Sequence, residues 1–231
     1  MFIIPCKYTK NCNSVIELVK SIREYHPTHR IMVVDSASSD KSYFTEIEPY
    51  NVDIQDIDNK NWSVGAFWHG YFKYPNEKFY YCINDSMKVK ANLSDFESKE
   101  LVTLATFNRE INPSFNAWNH RINTETKYTV TNSGNGVYGP IFMCSGRLFT
   151  NLYNKNANVL LPTCKDELGY LEGGFGSMFE CEGFDMHECS LYGDILQHES
   201  PGGKSYPSPF DTSWQYPIEK FYGGLKDNER L

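Results

Sequence analysis

The sequence lacks a basic block, paired cysteines and any long apolar run, and each absence removes a class of protein. Lysine and arginine total 22 against 29 aspartates and glutamates, for a net charge of -7. With no positive stripe to neutralise many phosphates, a general nucleic-acid binder is excluded. The seven cysteines stand singly at Cys6, Cys12, Cys82, Cys144, Cys164, Cys181 and Cys189, with no CxxC pair and no short Cys/His spacing. That pattern suits neither a disulfide framework nor a zinc site, and a reducing compartment is the simpler inference. No run of about twenty apolar residues is present to span a bilayer. The chain starts directly in an apolar stretch without a charged leader or cleavage site, so a soluble, cytoplasmic protein is expected. Internal repeats, low-complexity tracts and an interdomain linker are missing too, and 231 residues suit one domain with a large core.

What is present is an alternation of strands and helices. Phe2 to Cys6 is a short apolar run, followed by Val15, Ile16, Leu18, Val19 and Ile22 at helical spacing, with Ser14 as the N-cap. Arg30 to Val34 is a second apolar run ending at Asp35, and a polar loop leads to an amphipathic stretch through Tyr43, Phe44 and Ile47. Val52, Ile54 and Ile57 alternate with polar residues as a weaker third strand; Trp62 to Phe72 reads as an aromatic helix closed by Pro75. The run from Phe79 to Ile83 is the fourth strand and stops at Asn84, Asp85 and Ser86. Parallel neighbours need a crossover, so these alternations predict an α/β protein with a mostly parallel, Rossmann-like twisted sheet flanked by helices. The second half is less regular: Leu101 to Phe107 and Val137 to Cys144 read as buried strands and Arg147 to Asn154 as a helix. Lys165 to Cys181 reads as a helix weakened by Gly173, Gly174 and Gly176, which leaves room for a loop before a shorter helix. Met186 to Leu196 is a strand candidate, and the Pro-, Gly- and aromatic-rich stretch from Ser200 a packed loop or lid.

The chemistry-bearing residues fall at strand ends. Asp35 ends the second strand and Asp85 the fourth, with Asp56 and Asp58 near the end of the third. In open α/β sheets ligands bind beyond the carboxyl ends of the strands. Carboxylates crowded at one edge repel one another, and a bound cation or a hydroxyl-rich ligand relieves that cost. The plain alternative is that Asp, Asn and Ser mark turns after strands.

The order of these residues resembles a known family. Val33 to Asp40, VVDSASSD, looks like the VVDDGSTD stretch of GT-A fold glycosyltransferases of the family 2 type. Asn59 to Tyr71, NKNWSVGAFWHGY, is similar to their Asn-x-Gly helix start, and Asn84 to Ser86 falls where they carry a DXD motif. Glu172 with GGFGSMFECE, then Gly183 and Phe184, is similar to the acidic residue, helix and Gly-aromatic turn that follow their acceptor region. The likeness runs from Phe2 to His198. It implies one GT-A domain over 1–231, with a nucleotide-binding half at 1–90, an acceptor and catalytic half at 91–198, and a C-terminal loop or lid at 199–231.

The resemblance implies roles as well. Pro5, Asp35, Ser36, Asn61, Gly65 and Asn84 would line the site of a UDP- or GDP-linked sugar, Asp35 taking a nucleobase or ribose hydroxyl. Asp85 and His198 would hold Mn²⁺ or Mg²⁺ on the diphosphate. Glu172 would be the base that deprotonates a hydroxyl of a glycan, lipid or protein acceptor, with inversion at the anomeric carbon. Lys204, in PGGKS, would fold over the phosphates. The chain departs from the pattern in having one acid at Asn84–Ser86 where the family has two. Ser36 stands where many members carry a second Asp, and Gly173 where an acid often follows. A catalytically silent nucleotide- or sugar-binding module is the alternative those departures allow. A sugar nucleotidyltransferase would need a GxGTR-like loop after the first strand, and Pro5 to Asn11 lacks it.

Overall fold

The computed structural model describes residues 1–8, 14–108, 113–131, 135–194 and 214–220. The first half follows the expected alternation. Strand β1 (Phe2–Cys6) pairs in parallel with β2 (Ile31–Ser36), from Phe2 opposite Ile31 to Cys6 opposite Asp35. Strand β3 (Val52–Ile57) extends this edge in parallel, from Ile31 opposite Val52 to Ser36 opposite Ile57. Helix α1 (Ser14–Tyr25) joins β1 to β2, the short α2 (Tyr43–Ile47) follows β2, and α3 (Trp62–Lys73) precedes β4 (Phe79–Cys82). β4 lies on the other side of β1, also parallel, with Phe2 opposite Tyr81.

Both faces of this sheet are covered, which is why β1, β2 and β4 read as unbroken apolar runs. Ile3, Met32, Val34, Tyr80 and Cys82 face one side with Val64, Phe67 and Trp68 of α3. Phe2, Ile4, Val33 and Tyr81 face the other with Val15, Leu18, Val19 and Ile22 of α1. Each fully buried aliphatic side chain here contributes about 1.5–3 kcal/mol. α3 rides so close to β1 that a Cβ on Gly70 would lie 2.6 Å from the Ile3 side chain, so only glycine fits there.

The second half departs from the expected strands in three places. The run 101–107 divides into β6 (Leu101–Thr103) and β7 (Thr106–Asn108), and the run 137–144 into β8 (Asn135–Val137) and β9 (Phe142–Ser145). β5 (Met87–Val89) precedes them, and α4 (Pro113–Glu125) lies between β7 and β8. β6 and β9 join the main sheet, whose order is β3-β2-β1-β4-β9-β6, while β7 and β8 form a separate ribbon. The break falls at Gly139, whose φ of 65° no strand accommodates, and at Pro140 beside it. β9 runs antiparallel to β4, from Phe79 opposite Ser145 to Cys82 opposite Phe142, so the sheet is mostly parallel with one reversed strand.

Lys165–Cys181 is one continuous helix, α6, after α5 (Gly146–Asn154). Its glycines serve approach: a Cβ on Gly176 would lie 2.4 Å from the Asn135 carbonyl oxygen of β8, and one on Gly174 3.1 Å from Ile122 of α4. The described part of 186–196 forms turns and isolated bridges, Thr103 with Ser190 and Thr106 with Asp194, instead of a strand. Gly193 at φ 77° and the Asp185 side chain, which accepts from the His187 N–H at 2.8 Å, keep it turning. Far along the chain, β10 (Ile218–Lys220) pairs antiparallel with β5, so the C-terminal region contributes a strand where a loop or lid was expected.

Candidate functional site

Strand order reverses between β1 and β4, and the crevice beyond their carboxyl ends is where open α/β sheets bind ligands. Pro5 sits at this point. The Phe2 N–H donates to the Arg30 carbonyl on the β2 side, so in β1 the odd-numbered nitrogens face β4. The last bond from β4 is the Ile83 N–H to the Ile3 carbonyl at 3.3 Å. Pro5 therefore lacks its N–H where the neighbouring strand has already ended, which is where a central strand tolerates proline. The two strands part there.

Asp35, one strand further out, is fully buried. Its Oδ1 accepts from the Ser38 N–H at 2.9 Å and its Oδ2 from the Tyr43 hydroxyl at 2.7 Å. Burial first, and then the neighbouring Cys6 and Asp35, push the Tyr43 hydroxyl's pKa up, so it stays a donor. Ser38 Oγ in turn accepts from the Tyr8 N–H at 2.7 Å. Asp35 thus ties the ends of β1 and β2 together through the 36–38 loop, where Ala37 is held at φ 58°. A non-glycine residue in that region stores roughly 1–3 kcal/mol of strain.

A second loop crosses the same edge after β3. Asn59 Nδ2 donates to Ser36 Oγ at 3.0 Å and to the Trp62 carbonyl at 2.7 Å, and Asn59 Oδ1 accepts from the Asn61 N–H at 3.1 Å. Asn61 Nδ2 reaches the Pro162 carbonyl at 3.1 Å. Gly65 lets this loop settle on α3, because a Cβ there would meet Asn59 Oδ1 at 2.4 Å and Asn61 Cβ at 2.7 Å. Trp62, at φ 56° and 40% exposed, opens α3 in a conformation costly for a bulky residue. Asn59, Asn61, Gly65, Trp68 and His69 line a cleft of about 440 Å³. The structure therefore brings Ser36, Asn61 and Gly65 together through Asn59, a residue the motif comparison quoted without assigning it a role.

Asn84, Asp85 and Ser86 follow β4 at the switch point. Asn84 Oδ1 is buried without a hydrogen-bond partner among the described residues, and Asp85 is half-buried. A Cβ on Gly139 would lie 3.8 Å from Asn84 Nδ2, and the Gly139 N–H donates to Glu172 Oε1 at 3.0 Å. The turn that splits β8 from β9 thus stands between the end of β4 and Glu172 on α6. Asp35 lies opposite Cys6, and β4 is the strand beyond β1. Two strand spacings, about 10 Å, separate the ends of β2 and β4 on one edge. From the other side comes Lys220, whose Nζ donates to Ser86 Oγ at 3.3 Å; the sequence reading did not single it out.

The remaining carboxylates at this edge are not held together for one cation. Asp56 pairs with Lys41, and Asp58 with Lys60 at 2.9 Å, so each is compensated separately and the repulsion expected between them is already relieved. No cluster of three His, Cys, Asp or Glu suited to a metal occurs among the described residues. His198 and Lys204 lie outside them. No helix among the described residues is long and apolar enough to cross a membrane.

No family model matches the sequence, and no curated protein does either. Among solved structures, S. aureus TarS 1–349 in complex with UDP is similar at 16% identity over 73% of this chain and 52% of that one, with a TM-score of 0.43. TarS 1–349 alone gives 14% identity, 76% and 55% coverage, and 0.43. The chain thus spans about half the length of these TarS structures. Core-mannan synthase A from Aspergillus fumigatus, in its Mn/GDP form, is similar at 9% identity over 90% of this chain and 81% of that one, with a TM-score of 0.48.

Proposed function

We propose that this chain is a glycosyltransferase that moves a sugar from a UDP- or GDP-linked donor to a hydroxyl of a glycan, lipid or protein acceptor, with inversion. The reading is carried by one observation: Asn84–Ser86 at the strand-order reversal stands across a single turn from Glu172, through Gly139. A donor diphosphate at the switch point would lie between the end of β4 and the loops of Ser36 and Asn61. Asp35 would act by holding the 36–38 loop in its strained form beneath the nucleoside. Pro5 would keep β1 and β4 apart, and Gly65 would keep the 59–61 loop low enough to leave space.

Glu172 would take the proton from the acceptor hydroxyl as its oxygen bonds to the anomeric carbon. The bond from that carbon to the diphosphate breaks with its electron pair going to the departing phosphate oxygen. The Gly139 N–H donates to Glu172 Oε1 at 3.0 Å and so orients the carboxylate.

Mn²⁺ or Mg²⁺ fits the donor set if substrate completes it. Magnesium sites use one or two carboxylates plus water and substrate phosphates, and Asp85 with the unpaired Asn84 Oδ1 supplies that minimum. When bound there the ion would neutralise charge on the departing diphosphate. Isothermal titration of UDP and of GDP, each with and without Mn²⁺, tests the reading. Binding of one nucleotide, tightened by Mn²⁺, is expected; no binding of either under both conditions overturns it.

A further inference from the structure

The cleft beside α3 is a formed cavity of which the transfer chemistry uses only the rim. Val64, Phe67 and Tyr71 turn one side of α3 to the sheet. Gly65, Trp68, His69 and Phe72 stand at i, i+3, i+4 and i+7, so they make a second stripe along the flank of the helix, and all four line the cleft. The short turn Ala157–Val159 after α5 supplies the facing wall through Asn158. α3 starts at the edge where β3 ends and runs back to the start of β4. The cleft therefore leads from the 59–61 loop down this flank, over roughly 10 Å between Gly65 and Phe72. Its volume of about 440 Å³ is that of a small-molecule site.

The lining points to a class of ligand. Phe72 is 52% exposed and backed by the buried Trp68 indole, with 6.1 Å between ring centroids and 26° between planes, so a supported aromatic face borders the cleft. Among the described residues, the charged side chains that line it are Asp58 and Lys60, and these pair with each other at 2.9 Å. The site thus has no net charge with which to select an anion. Burial first, and then the charge of Lys73, hold the His69 pKa below its ordinary value, so the ring is neutral near pH 7. Its Nε2 donates to Gln55 Oε1 at 3.3 Å, which makes Nδ1 an acceptor. The Asn158 amide has no hydrogen-bond partner among the described residues and can both donate and accept. An alkyl chain would leave these polar groups unmatched. A pyranose matches both kinds of surface: C–H groups of its less polar face lie on the electron-rich aromatic face, and its hydroxyls donate to an imidazole nitrogen and exchange hydrogen bonds with an amide. Resting on the transferase reading above, we propose that this cleft binds a neutral saccharide and that the acceptor is a glycan held there, with Phe72 as its stacking platform and Asn158 as a hydroxyl contact.

The test is NMR titration of the full chain with maltotetraose, cellotetraose, chitotetraose and mannotetraose, in wild type, Phe72→Leu, Asn158→Ala and, as an exposed aromatic elsewhere, Trp214→Ala, which is 63% exposed in wild type. Wild type should bind at least one of the four. Phe72→Leu keeps apolar bulk but removes the ring, and should weaken that saccharide about tenfold. Asn158→Ala should weaken it about fivefold, and Trp214→Ala should leave it unchanged. UDP affinity should stay at the wild-type value in all three variants. Failure of wild type to bind any of the four would overturn the saccharide site while leaving the transferase reading intact. Wild-type affinity in Phe72→Leu, or an equal loss in Trp214→Ala, would overturn it as well, because the ring in the cleft would then not be the platform. Saccharide binding by a protein that binds neither UDP nor GDP would overturn the transferase reading and the acceptor role, and leave a saccharide-binding cleft.

Discussion

Where the parallel strands begin, the Arg23 guanidinium donates to the carbonyls of Tyr50, His26, Pro27, His29 and Asn51 at 2.7–3.2 Å. Where they end, Ala37 and Trp62 are held at positive φ and Asn84 Oδ1 is unpaired among the described residues. At the first edge one side chain gathers up the carbonyls of two turns, and His26, buried among Phe2, His29 and Tyr81, accepts from the Leu93 N–H at 3.0 Å. At the second, Ala37 and Trp62, residue types that pay more for positive φ than Asn51 does at the first edge, and Asn84 Oδ1, which like His26 Nδ1 is buried with no partner among the described residues, lie within a few residues of the carboxylates. Strained backbone survives only where its surroundings over-determine it, and it collects at ligand sites. With the proposed transferase reading, the contrast would put stability at the edge where the strands begin and recognition at the edge where they end.

That division breaks or sharpens under three changes. The largest effect is expected from Glu172→Gln, which keeps an acceptor for the Gly139 N–H but removes the base. Turnover should fall by at least about 100-fold with UDP affinity and the urea unfolding midpoint unchanged, as followed by sugar-transfer assay and by titration. Retained turnover would take Glu172 out of the reaction. Arg23→Ala is the converse. It removes the side-chain donor of five carbonyls and should lower unfolding free energy by about 3 kcal/mol, read from urea denaturation, while the folded fraction binds UDP as before.

The smallest is a pH effect at His26. Burial first, and then the charge of His29, hold its pKa down to about 4 from an ordinary 6.5. The unfolded chain thus takes up this proton before the native one does. The stability associated with neutral His26 is intact above about pH 6.5 and drains away as pH falls towards about 4. The groups that face it are the His29 ring, paired with Glu97 at 2.8 Å, the Glu97 carboxylate and the Met1 ammonium. Unfolding midpoints at pH 7.5 and 4.5 should differ, and less so in His26→Gln. An equal difference in both proteins would show that other groups carry the pH dependence.

The first four strands and α3 were legible because each is an apolar run closed by a polar cluster, and tertiary context agrees with that pattern. The second half was harder for a physical reason. Leu104 and Ala105, like Tyr138 and Ile141, are apolar residues between strands, and they stay bonded across the gap: the Leu104 N–H to the Ile141 carbonyl, the Tyr138 N–H to the Ala105 carbonyl. Hydropathy therefore continues where the strand does not. Only Gly139–Pro140 marked one of the two breaks. The glycines of α6 signalled weakness by propensity, whereas their purpose, contact with β8 and α4, depends on partners distant in sequence.

At the site, strand ends pointed to Asp35 and Asp85, but nothing nearby in the chain foretold that Asp35 would be spent on Ser38 and Tyr43. Lys220 had no local signature at all. It reaches Ser86 across 134 positions of sequence, a pairing that residues around IEKFYGG do not advertise.

Strand β9 enters the sheet head-down among neighbours that run upward, and this has a consequence for how the molecule can diversify. Its starting end, not its finishing end, arrives at the crevice, so the segment leading into it passes Glu172 before it reaches Phe142, held on the way by the Tyr138 N–H to Ala105 and Gly139 N–H to Glu172 bonds. Because the segment's own contribution to those bonds is backbone, its side chains can change without shifting any parallel strand. One side of the crevice is thereby free to acquire new preferences while the other is kept fixed by the ladder of β1 and β2.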